Sequence, residues 1–233
     1  MKVKKKITKK KLKQPDEFVS FTEQAYRFIN QHLKRIGIAT LLIVLFVLSF
    51  FLFRMWEQKK ENEASQKFLL ALESYQMVSS PYREGSPVEY KKALEGFEEL
   101  IEGYSRTSSG KVSLLYKGSI HLRGGEFDEA IKAYEAYLDK AGREKLFRLF
   151  AFEGLGYAYQ GKKDYEKALK AFQEIIRLGE SYHWAGAHLN VARCYEKMGK
   201  NEEALENYKT FLKISQNSIS NHSILRKVSL LEK

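Results

Sequence analysis

FEGLGYAYQGKKDYEKALKAF, from Phe152 to Phe172, carries two helical patterns on either side of a turn. Phe152, Leu155, Gly156 and Tyr159 stand at the spacing aromatic-x2-Leu-Gly-x2-Tyr, and after Asp164 a small residue, Ala168, precedes an aromatic, Phe172, by four. Residues four apart share a helix face, so such a pair marks one packed stripe. The pattern recurs outward from this stretch. In the following unit His188, Val191, Ala192 and Tyr195 hold the matching places, ahead of Gly199, Ala204 and Tyr208. In the preceding one Leu114, Gly118 and His121 lead to Gly125, Phe127, Ala130 and Tyr134. The pairs Ala93/Phe97, Ala130/Tyr134, Ala168/Phe172 and Ala204/Tyr208 set intervals of 37, 38 and 36 between their alanines. A period in this range with helical patterning signals stacked helix hairpins, so the expected fold is all-α.

These motifs resemble the tetratricopeptide repeat (TPR) family over roughly residues 74–216. Gly156 or Ala192 in the first helix and Ala168 or Ala204 in the second let backbones approach, while aromatics fill the space one turn away. The expected units are about 68–103, 111–142, 146–180 and 185–216, closed by a capping helix at 221–232 with Ile224, Val228 and Leu231 on one face and Asn221 as N-cap. Three departures stand out. The family's proline between repeats is absent, the repeats exceed 34 residues, and Lys163 occupies the expected turn-glycine position of the third unit. The first unit matches least well, and Ser79-Ser80-Pro81 with Gly85-Ser86-Pro87 predict a longer loop there.

Toward the N-terminus, the eighteen residues Ile36–Phe53 carry no charge. As a helix they cover roughly 27 Å at ~1.5 Å per residue, close to the ~30 Å hydrocarbon core of a bilayer. Lys34 and Arg35 flank one end; Arg54, Trp56, Lys59 and Lys60 flank the other. A transmembrane helix is expected at 36–53, because nothing else in the chain is apolar enough to surround it as a soluble core helix. Residues 54–67 read as a charged helical linker, and 68–233 as the TPR domain. Residues 15–35 read as an amphipathic helix, with Pro15 and Asp16 in its first turn and Phe18, Thr22, Ala25, Ile29 and Leu33 at helical spacing. Residues 1–14 hold eight lysines and no acid, the composition of a disordered tail. That tail is either a topology signal or an attraction to anionic membrane lipids.

The net charge of +11 is uneven. Residues 1–35 hold 11 Lys/Arg against 3 Asp/Glu, whereas residues 54–233 hold 29 against 26. The basic excess therefore belongs to the flank of the span, which argues against a nucleic-acid partner. It places the N-terminus in the cytoplasm and the large domain outside it. A cleaved signal peptide fits poorly, since Phe51-Leu52-Phe53-Arg54-Met55-Trp56 offers no small-residue cleavage site. Cys194 is the one cysteine, so no internal disulfide forms.

Catalytic patterns are wanting, and the expected protein is not an enzyme and needs no cofactor. The run from Gly156 to Lys163 approaches a P-loop, but Lys163 replaces the Mg²⁺-binding hydroxyl and Gly156 lies inside a periodic helix. His32, His121, His183, His188 and His222 show no metal spacing beyond His183 and His188, which share a helix face poorly. The TPR resemblance implies a concave groove lined by the first helices of the hairpins. By position its candidates are Leu115, Ser119 and Leu122, then Glu153, Tyr157 and Gln160, then Leu189, Arg193 and Glu196. The apolar run Leu146–Phe152 either buries all its faces or leaves Phe147 or Phe150 for a partner.

Tail, span and TPR domain together resemble the YfgM-like bacterial inner-membrane proteins. That resemblance implies an ancillary, non-enzymatic adaptor whose periplasmic TPR domain binds Sec translocon subunits, periplasmic chaperones or client polypeptides. The alternative is a cytoplasmic lipid- or regulator-binding module built from the tail and the amphipathic helix, with the TPR stack for oligomerisation or sensing.

Overall fold

The computed structural model describes residues 17–79, 87–140, 144–179, 181–215 and 221–232. The Lys-rich tail, the Pro15-Asp16 start and the first-unit loop at 80–86 lie outside the described residues. Every regular element among the described residues is an α-helix: α1 (Glu17–Val78), α2 (Pro87–Gly103), α3 (Ser108–Arg123), α4 (Phe127–Lys140), α5 (Lys145–Gly161), α6 (Tyr165–Leu178), α7 (Ser181–Lys197), α8 (Asn201–Ile214) and α9 (Asn221–Leu231). Residues up to 58 and residues from 59 onward form two compact units.

In the first unit, α1 is broken at His32, whose φ of −115° and ψ of 17° are not helical. The stretch after the break is long and apolar enough to cross a membrane, and none of its apolar window is buried. Leu41, Phe46 and Phe51 are 58%, 73% and 65% exposed. The hydroxyl of Thr40 donates to the Ile36 carbonyl at 2.9 Å, which pairs it within its own helix.

The second unit is a solenoid of helix hairpins. Its first hairpin pairs residues 59–78 of α1 with α2, where Ala64, Ala71, Ala93, Phe97 and Leu100 pack together. Ala64 is fully buried although it sits in the charged stretch 54–67. The following hairpins are α3/α4, α5/α6 and α7/α8, and each contacts the next in order. Ala93, Ala130, Ala168 and Ala204 are all 0% exposed, so the repeated small residue sits at the closest helix approach each time. At Gly156 an added Cβ would overlap the Phe172 ring, which explains the glycine of the quoted pattern by packing. Gly161 is likewise covered by the Phe127 ring, so the glycines of the P-loop-like run serve helix packing.

Local chemistry fixes the helix ends. Thr107 caps α3 by accepting from the Gly110 amide at 3.0 Å, and the Glu61 carboxylate accepts from the Ser108 amide at 3.0 Å. A carboxylate at a helix N-terminus also complements the helix dipole, so α1 is tied to the start of α3. Asp164 caps α6 through the Lys167 amide at 3.2 Å. The turns α3/α4 and α7/α8 use Gly125 and Gly199 at φ 74°, while Lys163 takes φ 61° in the turn α5/α6. At the C-terminus α9 buries Ile224 and Val228 against Ala192, Tyr208 and Phe211. Asn221 begins α9 as its first helical residue, not as its N-cap; its side-chain amide donates to the Ser215 carbonyl at 2.7 Å.

Candidate protein-interaction groove

The first helices of the hairpins present one face to a shared concavity. On α3 that face carries Val112, Leu115, Tyr116, Ser119, Leu122 and Arg123; on α5 it carries Phe147, Phe150, Glu153, Gly154 and Tyr157. With Tyr75 of α1 and Tyr134 of α4 these residues line a cavity of about 400 Å³. That volume is within the range of about 300–1,000 Å³ typical of ligand pockets, and its walls are largely aromatic and aliphatic.

Tyr134 reaches the cavity from the second helix of its hairpin. It can do so because Gly118 and Gly154 carry no side chain: a Cβ on either would overlap its ring. Its hydroxyl lies 3.2 Å from Ser119 Oγ. Burial pushes the Tyr134 phenol up to about 12, with the Ser119 bond opposing the shift, so it stays neutral at physiological pH. Two charged residues also line the cavity. Burial opposes the Arg123 cation, but the attraction of the Tyr75 and Tyr90 hydroxyls, to which it donates, outweighs burial and shifts the guanidinium upward. Glu153 supplies a carboxylate to the same lining.

Of the nine sequence-derived candidates, Leu115, Ser119, Leu122, Glu153 and Tyr157 line this cavity. The other four point elsewhere or are engaged. Gln160 donates to Cys194 Sγ at 3.3 Å, beside a fully buried thiol that burial makes less acidic and hence a poor nucleophile. Leu189 packs against the Tyr208–Ile224–Val228 cluster. Glu196 accepts from the Tyr208 hydroxyl and from Lys227 Nζ of α9 at 2.5 Å. Arg193 is exposed and donates to Asn190 Oδ1 at 3.3 Å. Asn190, 4% exposed, donates in turn to the Tyr157 hydroxyl at 3.1 Å, and Tyr157 donates to Glu153 at 3.4 Å. This chain of bonds orients the Tyr157 ring, which is 39% exposed.

Sequence reasoning missed Tyr75, Tyr116, Tyr134, Arg123 and Asn190. Tyr134 was legible as a packing aromatic, but its passage between two glycines depends on positions 36 residues apart in sequence, Gly118 on α3 and Gly154 on α5. Phe150 is 43% exposed, and both Phe147 and Phe150 line the cavity, so the run Leu146–Phe152 is not wholly enclosed. The arrangement can hold apolar and aromatic side chains of a partner in a lining that also carries one cation and one anion. Among the described residues no three His, Cys, Asp or Glu side chains converge.

Solved structures share this fold. A crystal structure of MamA is 19% identical, with a TM-score of 0.52, covering 61% of this chain and 77% of that one. A second MamA structure is 16% identical, with a TM-score of 0.56, covering 72% and 81% respectively. The apo form of RapI is 12% identical, with a TM-score of 0.56, covering 73% and 63%. A comparison with curated proteins finds no match. The sequence pattern of the tetratricopeptide repeat-like domain matches residues 27–228, most of the chain, and the protein belongs to that family.

Proposed function

We propose that this protein is a membrane-anchored interaction adaptor. Residues 36–53 of α1 form its single span, the N-terminus is cytoplasmic, and the solenoid works outside the cytoplasm of a bacterial inner membrane. The solenoid captures a polypeptide partner, for which the YfgM-like resemblance implies a translocon subunit, a periplasmic chaperone or an unfolded client. The observation that carries the reading is the cavity of about 400 Å³ walled by Tyr75, Tyr116, Tyr134, Phe147, Phe150 and Tyr157. Rigid aromatics in a concave site are the usual source of binding energy at protein interfaces. The anchoring is supported by the unburied apolar window of α1 and by the basic excess before Ile36. The family match begins at residue 27 and so takes in the apolar helix together with the hairpins.

Partner recovery from solubilised membranes tests this reading. Tyr157→Ala with Arg193→Ala removes the ring and the cation that steadies it through Asn190. A loss of about 2 kcal/mol, roughly 30-fold in affinity, is expected, with helicity and membrane insertion retained. Deleting Lys2–Lys13 is expected to leave the recovered partner unchanged, with a reporter fused after Lys233 confirming the side of the membrane. Normal recovery by the double variant, with loss on tail deletion, replaces the adaptor by the cytoplasmic lipid- or regulator-binding module.

A further inference from the structure

We infer that the helical segment before the break at His32 lies in the surface of the lipid bilayer, apolar side down, and that its seating does not depend on headgroup charge. The inference rests on the membrane anchoring proposed above. At 100° per residue, Phe28, Phe21, Ala25, Ile29, Thr22 and Tyr26 fall within an arc of about 160°. Asn30, Glu23, Arg27, Gln31 and Gln24 fill the opposite side without interruption. Phe21, Tyr26, Phe28 and Ile29 are 69%, 68%, 60% and 50% exposed, so nothing in the described residues of their own unit, 17–58, covers this face.

Three observations select a bilayer as the occupant. The face is continuous with the apolar stretch: Leu33, 57% exposed, follows the break, and Ile36 opens the uncharged run three residues later. The backbone departs from helical geometry at His32, between the two segments, where an interfacial helix must turn to join a spanning one. The Phe28 ring packs edge-on against His32 at 4.7 Å, so the break sits under the apolar face and not on the polar one. The amphipathic helix before the break, residues 17–31, has fifteen residues and is about 22 Å long at 1.5 Å per residue, and such a helix lies along a membrane surface with its rings at the headgroup–acyl boundary.

Charge supplies the sharper half of the inference. Over 21–31 the polar side holds one cation and one anion, Arg27 and Glu23, 3.9 Å apart on the same helix, and Glu17 at the start of the helix adds a second anion. Such a side has no net attraction to anionic lipid, so burial of the aromatic side drives the seating. It differs in this from the eight lysines of residues 1–14, whose attraction is electrostatic and screened by salt.

Nitroxide scanning of the full chain in vesicles decides it, using single cysteines at positions 21–31 and at Leu45 in a Cys194→Ala background. Vesicles of phosphatidylcholine alone and with phosphatidylglycerol are compared. Labels at Phe21, Thr22, Ala25, Phe28 and Ile29 are expected to favour oxygen, and those at Glu23, Gln24, Arg27 and Asn30 a water-soluble nickel chelate, with a helical period in both vesicle types. Thr22→Cys and Ala25→Cys remove no aromatic ring, so they report the seating even where Phe21→Cys or Phe28→Cys weakens it. Uniform access to nickel over 21–31, with Leu45 still inside the bilayer, overturns the inference and leaves the anchoring intact. Nickel access at Leu45 overturns both. Shielding of the apolar side from both reagents means that a second copy covers it, and a period seen only with phosphatidylglycerol means that headgroup charge drives it; either result overturns the inference.

Discussion

Helices α5 and α7 carry one pattern 36 residues apart, and their outward positions meet different fates. On α5, Glu153 and Tyr157 open onto the aromatic cavity. On α7 the matching Leu189 packs into the cluster that receives α9, the matching Arg193 is exposed, and Glu196 is held by Lys227. The repeat motif specifies how a hairpin folds on itself, through Gly156 and Phe172 or Ala192 and Tyr208. It does not specify what the next helix brings. Helix α5 is followed by a full hairpin, whereas the hairpin α7/α8 is followed by an eleven-residue helix that turns Lys227 onto it. Groove composition in a repeat stack is therefore a property of neighbours.

The strongest way to break that comparison is to remove the aromatic of each hairpin. Phe172→Ala and Tyr208→Ala each delete a fully buried ring and should each cost about 3–5 kcal/mol. Phe172 packs with residues of both α5 and α7, so its loss should speed amide exchange through three helices, α5 to α7. Among the described residues Tyr208 packs in a cluster drawn from α7, α8 and α9, so faster exchange should stay at that end. Equal spreading from both sites would remove the distinction between middle and end.

A smaller effect should appear in acid. Burial pushes the Glu196 carboxyl up, but the bonds from Lys227 and Tyr208 outweigh burial and leave it below the usual carboxylate range. Because the folded value is depressed, its stabilisation is complete above the unfolded value of about 4.3 and is lost as pH falls through the lower folded value. The Lys227 and Glu196 side chains are 42% and 32% exposed, so screening limits the effect to about 0.5–1 kcal/mol. Acid exchange measurements should loosen α9 within this window, and Glu196→Gln should abolish the pH dependence. An α9 that loosens identically in that variant would assign the acid response to another group.

The two turns sharpen the comparison further. Gly199 takes φ 74° between α7 and α8, but Lys163 takes φ 61° between α5 and α6, where a Cβ is strained. Lys163→Gly should stabilise the protein by about 0.5–1 kcal/mol, less the entropy that glycine adds to the unfolded chain. Thermal unfolding checks the sign, and an unchanged or lowered midpoint would mean that the lysine makes a compensating contact.

These contrasts show what local sequence can and cannot carry. The hairpins were legible because Ala168/Phe172 and its counterparts repeat within one turn of helix, and the displaced turn glycine was visible as Lys163. The apolar stretch was legible from composition alone. Ala64 was not, because it sits among lysines and glutamates that face solvent while one alanine packs on α2. Tyr116 escaped notice because the TPR pattern marks its neighbour Leu115; it stacks on Phe97 at 4.8 Å, across two helices. Lys227 with Glu196, and Asn190 with Tyr157, join residues over 30 positions apart, and no periodicity announces such pairs. The break at His32 likewise has no proline or glycine to signal it.

The passage of Tyr134 between Gly118 and Gly154 separates the depth of the cavity from its outline. The walls belong to α1, α3 and α5, but the floor is one ring lent by α4. Replacing that ring by a smaller side chain on α4 would admit a longer side chain while every wall residue stayed in place. A lineage can therefore retune how large a residue it accepts by changing the outer layer of the solenoid, without redrawing the surface that first meets the partner.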